Sequence, residues 1–123
     1  MKKLLIVDDS STMRKIIARS LHQAGFPIEE IQEAENGQAG LDKMSATQFS
    51  MVLTDINMPV MDGLKFIERI RSNPLWERLP IIVITTEGSE GVTKESIKKG
   101  ANNIVKKPFT PEQIKEKLSP YFA

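Results

Sequence analysis

Four points along this 123-residue chain combine side chains suited to a charge-dense ligand, and each follows a short apolar run. Asp8-Asp9 follow Leu4-Leu5-Ile6-Val7, Asp55 follows Met51-Val52-Leu53-Thr54, Thr85 follows Ile81-Ile82-Val83-Ile84, and Lys107 follows Asn103 to Lys106. Three carboxylates brought together repel one another and resist ionising in common. A divalent cation relieves that cost, and all-oxygen donors without Cys or a nearby His favour a hard ion such as Mg²⁺. Lys107 adds a compact positive charge and Thr85 a hydroxyl donor. Carboxylate, cation, ammonium and hydroxyl together are the parts of a phosphoryl site, in which Asp55 attacks in line. Taken singly, each residue has an ordinary explanation as a cap, a solvated charge or a strand-end hydroxyl. At four strand ends in this order, the combination is specific.

Such side chains converge only if the strands are parallel and neighbours. The apolar runs read as strands covered on both faces, and helical periodicity alternates with them. Ser10 and Ser11 are N-cap candidates for a helix with Met13, Ile16, Ile17, Leu21 and Ala24 on its apolar side, stopped by Gly25. Ile28 to Ala34 is more polar and suits an edge strand. Asn36-Gly37 turns into a helix carrying Leu41 and Met44, and the central strand Ser50 to Thr54 follows. Asp62 caps a helix with Leu64, Ile67 and Ile70 inward, ended by Asn73-Pro74, after which Leu75 and Trp76 are expected to pack over the core. The helix from Ser89 to Lys99 is poorly specified, with Gly91, Val92, Thr93 and Ile97 as its further anchor, and is expected to be the least stable. Thr110-Pro111-Glu112-Gln113 reads as a capping box with Pro at the first helical position. Ile114, Leu118 and Tyr121 or Phe122 anchor this last helix. Five strand–helix repeats imply an α/β fold with a parallel sheet and right-handed crossovers. In such a sheet the ligand crevice lies at the carboxyl ends of the strands.

Composition narrows the function classes. A chain of this length fits one domain. It has 40% hydrophobic and 27% charged residues and no Cys, so neither a disulfide framework nor a thiolate site is available. No apolar run approaches the roughly 18 residues of a membrane span, and Asp8-Asp9 arrive too early for a signal peptide, so the expected location is the cytoplasm. A net charge of +1 leaves no nucleic-acid footprint. From Lys94 onward there are seven Lys against three acidic residues, which makes that end of the fold mildly basic. His22, the only His, lies in the first helix and reads as a surface residue.

These motifs resemble those of the response-regulator receiver domain, most closely the stand-alone, CheY-like chemotaxis type. The resemblance covers essentially the whole chain, 1–123. It rests on Val7-Asp8-Asp9, Ser11-Thr12-Met13-Arg14, Leu53 to Pro59, Met61-Asp62-Gly63, Ile84-Thr85 and Lys107-Pro108-Phe109. It implies a doubly wound, flavodoxin-like (βα)5 domain with strand order 2-1-3-4-5. It implies that Asp55 accepts a phosphoryl group from a phosphohistidine of a sensor histidine kinase. Asp9 would ligate Mg²⁺ directly and Asp8 mainly through water, with Asp55 and the backbone carbonyl of Asn57 completing the protein ligands. Lys107, joined to Pro108 by a cis bond, would contact the phosphoryl oxygens, and Thr85 would swing toward them. Asn57 and Glu87 match positions that influence loss of the group to water, and Thr86 is bulkier than the small residue often found after the switch Thr. Ile104 replaces an aromatic residue that moves inward in chemotaxis relatives.

The same resemblance implies a monomer that catalyses only its own phosphorylation and dephosphorylation. Its output would pass to a downstream protein such as a flagellar motor switch component. The segment Glu87 to Gly100 is expected to move, and the basic surface of Lys94, Lys98, Lys99, Lys106, Lys115 and Lys117 to receive an acidic partner segment. Three other readings share parts of the pattern. A phosphorelay intermediate or phosphate sink would use the same site. A flavodoxin-like cofactor protein would need a phosphate loop after the first strand, where Asp8-Asp9 instead repel a cofactor phosphate. A phosphatase with an aspartyl nucleophile would want a general acid where Asn57 stands.

Overall fold

In a computed structural model, which describes residues 2–122, the apolar runs pair as five parallel strands. They are β1 (Lys2–Val7), β2 (Ile28–Ala34), β3 (Met51–Thr54), β4 (Ile81–Thr85) and β5 (Asn103–Lys106), in the order β2-β1-β3-β4-β5. Five helices alternate with them: α1 (Ser11–Gln23), α2 (Gly37–Ala46), α3 (Gly63–Arg71), α4 (Glu90–Lys99) and α5 (Pro111–Leu118). β1, β3 and β4 are covered on both faces, which is why their sequences are continuous rather than alternating. One core layer packs Leu5, Val52, Ile81 and Val83 against Phe66, Ile67 and Ile70 of α3; the other packs Leu4, Ile6, Leu53 and Ile82 against Ile17, Leu21, Ile114 and Leu118.

The helix starts follow the expected capping chemistry. Ser10, Asn36, Asp62, Ser89 and Thr110 each accept a backbone N–H from the first turn of the helix they precede, and Thr110 with Gln113 completes a capping box. Gly25, at φ +82°, takes the left-handed turn after α1.

Three expectations about packing fail, each for a reason of helical phase or chain path. Ile16 is 42% exposed, because Met13, Ile17 and Leu21 define the inward stripe one residue away. Ile97 is 47% exposed for the same reason: Val92 packs on the core and Ser96 is fully buried, its hydroxyl donating to the Val92 carbonyl at 2.8 Å. In the short 3₁₀ turn Pro74–Trp76, Trp76 reaches the core but Leu75 is 86% exposed, since a three-residue turn cannot aim successive side chains inward.

Between β3 and α3 the chain takes a strained turn. Met61 N–H donates to the Pro59 carbonyl at 2.7 Å around Val60, whose φ is +66°. A β-branched residue there is out of place, and Val60 is solvent-exposed and gains little from packing. Val60→Asn is therefore expected to raise the urea midpoint, stabilising the fold by about 1 kcal/mol; an unchanged or lower midpoint would contradict the strain.

Candidate functional site

Ladder bonds that continue past the strand ends bring the acidic residues to one rim. Asp8 N–H donates to the Ala34 carbonyl at 3.0 Å and Asp55 N–H to the Val7 carbonyl at 2.9 Å, so β1, β2 and β3 end level. Carboxylate oxygens of Asp8, Asp9 and Asp55 lie within 4.8 Å of one another. Asp8 is buried, Asp55 half-buried and Asp9 exposed. From the far strand, Lys107 Nζ donates to Asp8 Oδ2 at 2.8 Å and to Asp55 Oδ2 at 3.0 Å. Asp8 Oδ1 accepts the Ser10 N–H at 2.9 Å, and Asp55 Oδ1 accepts the Ile56 N–H at 2.6 Å. Each Asp55 oxygen thus has one donor and keeps lone-pair capacity, on a side chain that solvent can reach.

Burial pulls the Lys107 pKa down, but the hydrogen bonds its ammonium donates to the two carboxylates, with their charges, outweigh it and hold the pKa above the ordinary lysine value. An ammonium fixed there partly offsets the repulsion among three acids. The donor set is all oxygen, open on the Asp9 side and short of positive charge, and therefore fits a hard divalent cation.

Around this cluster stand the remaining candidates. Thr85 is fully buried; its Oγ1 accepts the Glu87 N–H at 3.0 Å, and its carbonyl accepts the Lys107 N–H at 2.8 Å. Asn57 Nδ2 donates to Glu87 Oε1 at 3.2 Å, bridging the loops after β3 and β4, with Thr86 exposed beside it. The Lys107–Pro108 bond is cis. Ile104 is half-buried in the wall of a groove of about 500 Å³ between α4, β5 and α5, which Thr93, Ile97, Gln113, Lys106 and Lys117 also line.

The basic surface is less uniform than the sequence implies. Lys106 and Lys117 line the groove, and Lys98 and Lys115 are exposed. Lys94 pairs with Glu90 at 3.0 Å on its own helix. Lys99 turns away to α3, reaching Glu68 at 2.9 Å and Glu95 at 3.4 Å, so it ties α3 to α4.

Two residues at the site had no role assigned from sequence. Arg14 Nη1 donates to the Asp8 carbonyl at 2.6 Å while its Nε binds Glu33 at 2.8 Å, fixing the backbone under the acidic pair. An Arg in the first turn of a helix that opens just after two acids was the available signal. Gly63 begins α3 so close to the acidic loop that a Cβ would sit 2.0 Å from the Asp55 carbonyl oxygen. A glycine directly after an N-cap Asp is a poor helix former, which was the signal for that close approach.

A doubly wound sheet with acids, a lysine and a hydroxyl on its carboxyl rim is the arrangement expected of a receiver domain. A sequence profile of the response regulator receiver domain matches residues 4–119, and the chain belongs to that family. It is 47% identical over 117 residues to a Helicobacter pylori protein named chemotaxis protein CheY1, a match covering 94% of this chain and 93% of the relative. The structure is similar to chemotaxis response regulator CheY4 of Vibrio cholerae, with TM-score 0.87, 34% identity and 98% of each chain covered. It is also similar to a chain in the CheX-CheY-BeF3-Mg complex of Borrelia burgdorferi, with TM-score 0.87, 27% identity, and 99% of this chain and 90% of that one covered. Among the described residues, no helix is long and apolar enough to cross a membrane.

Two outcomes test the geometry. Gly63→Ala is expected to cost on the order of 3 kcal/mol through overpacking and to weaken Mg²⁺ binding by displacing the Asp55 backbone; calorimetric titration with intact affinity would contradict this. Because the folded pKa of Lys107 is raised, its contribution is complete below the ordinary value of 10.5 and lost as pH climbs through the higher folded value. In metal-free buffer, the stability difference between wild type and Lys107→Met should thus be constant at neutral pH and shrink in strong alkali.

Proposed function

We propose that this chain is the phosphoacceptor of a two-component chemotaxis system, with Asp55 as the residue modified. The observation that carries the reading is Lys107 Nζ bridging the carboxylates of Asp8 and Asp55 at the rim where Asp9 also lies. Support for the pathway comes from the relatives' names, and support for the chemistry from this donor set. An Asp55 oxygen attacks phosphorus of a phosphohistidine on a sensor kinase. The new P–O bond forms as the P–N bond breaks, and the electron pair returns to the imidazole nitrogen, which takes up a proton. Lys107 keeps its place beside Asp55 and can turn its ammonium to the arriving oxygens.

Asp9, Asp55 and the carbonyl of Asn57 would hold Mg²⁺, with Asp8 acting mainly through water. Bound there, the cation supplies neutralisation of the charge that the phosphoryl group brings. Thr85 would exchange the Glu87 N–H for a phosphoryl oxygen. Asn57, Glu87 and Thr86 stand at the mouth and would set how fast water removes the group. The protein would turn over no external substrate, its chemistry ending on its own side chain. Output would pass through the groove, where Lys106 and Lys117 suit an acidic, apolar segment of a downstream protein such as a motor switch component.

Incubation with acetyl phosphate and Mg²⁺ should add one phosphoryl group to the wild type by intact mass and none to Asp55→Asn. Equal labelling of both, or none of either, would refute the assignment.

A further inference from the structure

Ile104 has no ring to move, so a change at Thr85 needs another route to the groove, and the structure contains one. Lys106 is the register partner of Thr85 across the β4–β5 ladder. Its side chain then lies over Gly88: a methyl built on Gly88 would sit 2.7 Å from Lys106 Cδ and Cε and 3.1 Å from Cγ. Lys106 also lines the groove with Ile97 and Ile104. One side chain thus meets the ladder at Thr85, the loop that follows Thr85, and the groove. Gly88 does not have a left-handed φ, so what its missing Cβ serves is the room taken by the Lys106 stem.

The loop beneath that stem depends on the Thr85 hydroxyl. Glu87 N–H donates to Thr85 Oγ1 at 3.0 Å, and Gly88 N–H donates to the Thr86 carbonyl at 2.9 Å. When the Thr85 side chain rotates so that its oxygen moves from the Glu87 N–H to donate to a phosphoryl oxygen, that N–H is left without its acceptor and residues 86–88 pair anew. The stem resting on Gly88 moves with them. Its ammonium makes no ion pair among the described residues, so nothing at the charged end holds it back.

We propose that Lys106 is the positioning residue that carries the state of Thr85 to the Ile97–Ile104 groove, and that its aliphatic stem on Gly88, not its charge, does so. The inference rests on the phosphoacceptor reading. It is tested on the full chain by methyl NMR of Ile97 and Ile104 and amide NMR of Asp55, with beryllofluoride and Mg²⁺ as the probe. In the wild type all three signals shift on saturation. In Lys106→Ala the Asp55 amide should shift at the same beryllofluoride midpoint while the isoleucine response is lost. Lys106→Met, which keeps a stem without charge, should restore it. Gly88→Ala should displace the Ile104 methyl signal even without the probe, because its methyl meets the stem. An undiminished isoleucine response in Lys106→Ala, no recovery in Lys106→Met, or an unmoved Ile104 signal in Gly88→Ala would each overturn the proposal. A wild type whose Asp55 amide ignores the probe would instead sink the phosphoacceptor reading itself.

Discussion

Three carboxylates cannot share one rim of a sheet without a counter-charge, and Lys107 supplies it from the opposite edge of the fold. Its ammonium crosses from the end of β5 to Asp8 and Asp55, which directly follow β1 and β3. That contact demands that β4 hold the outer strand in register, which it does through ladder pairs from Ile82↔Asn103 to Thr85↔Lys106. The buried isoleucines and valines of β3 and β4 are therefore not only a source of stability. They set the distance between the acids and the ammonium, and a slip of one residue would turn Lys107 to the other face.

Stiffness and softness are divided along the chain in a way that suits this rim. The acids sit on strand ends whose backbones are pinned by ladder bonds, by Arg14 under Asp8 and by the contact at Gly63. Across the crevice, the start of α4 is held by less. Ser89 caps it and Gly91 weakens its first turn, while Val92 and Ser96 give it a thin inward face. Its far end is secured by neighbours: Arg71 donates to the Gly100 carbonyl at 3.0 Å and to Asn102 Oδ1 at 2.9 Å, and Lys99 binds Glu68. Such an element is tethered at its C-terminus and lightly held at its N-terminus, the end that follows Thr85 and Glu87 in the chain.

The strands, their parallel alternation and the helix caps were legible because each depends on local residue types: apolar runs for covered strands, Ser, Asn, Asp and Thr for caps. The acidic cluster was legible because strand ends in a parallel sheet share a rim. What escaped was phase and reach. Ile16 and Ile97 are apolar residues one step off their helices' inward stripes: in α1 the stripe and its neighbour both hold isoleucine, and in α4 the inward place is taken by a serine, Ser96, that composition would put outside. Lys99 looked like one more member of a basic patch, but its partner Glu68 is on a different helix, 31 positions earlier. Gly63 is required by the backbone that lies against it, and Gly88 lies under the Lys106 stem; both contacts are visible only once two distant segments are side by side.

The exposed Ile97 then changes from an error of phase into part of the site's logic. A residue turned away from the sheet on α4 faces β5 and α5 across the groove, where Ile104 and the Lys106 stem form the other wall. Burying it against the core would have strengthened α4 and closed that groove. An amphipathic helix that leaves one isoleucine about half outside its core stripe gives up on the order of 1 kcal/mol of burial and keeps apolar surface in the groove. On the proposed reading, the same weak packing that would let α4 respond to the rim would also provide the surface on which the response is read, so the two properties could not be improved separately.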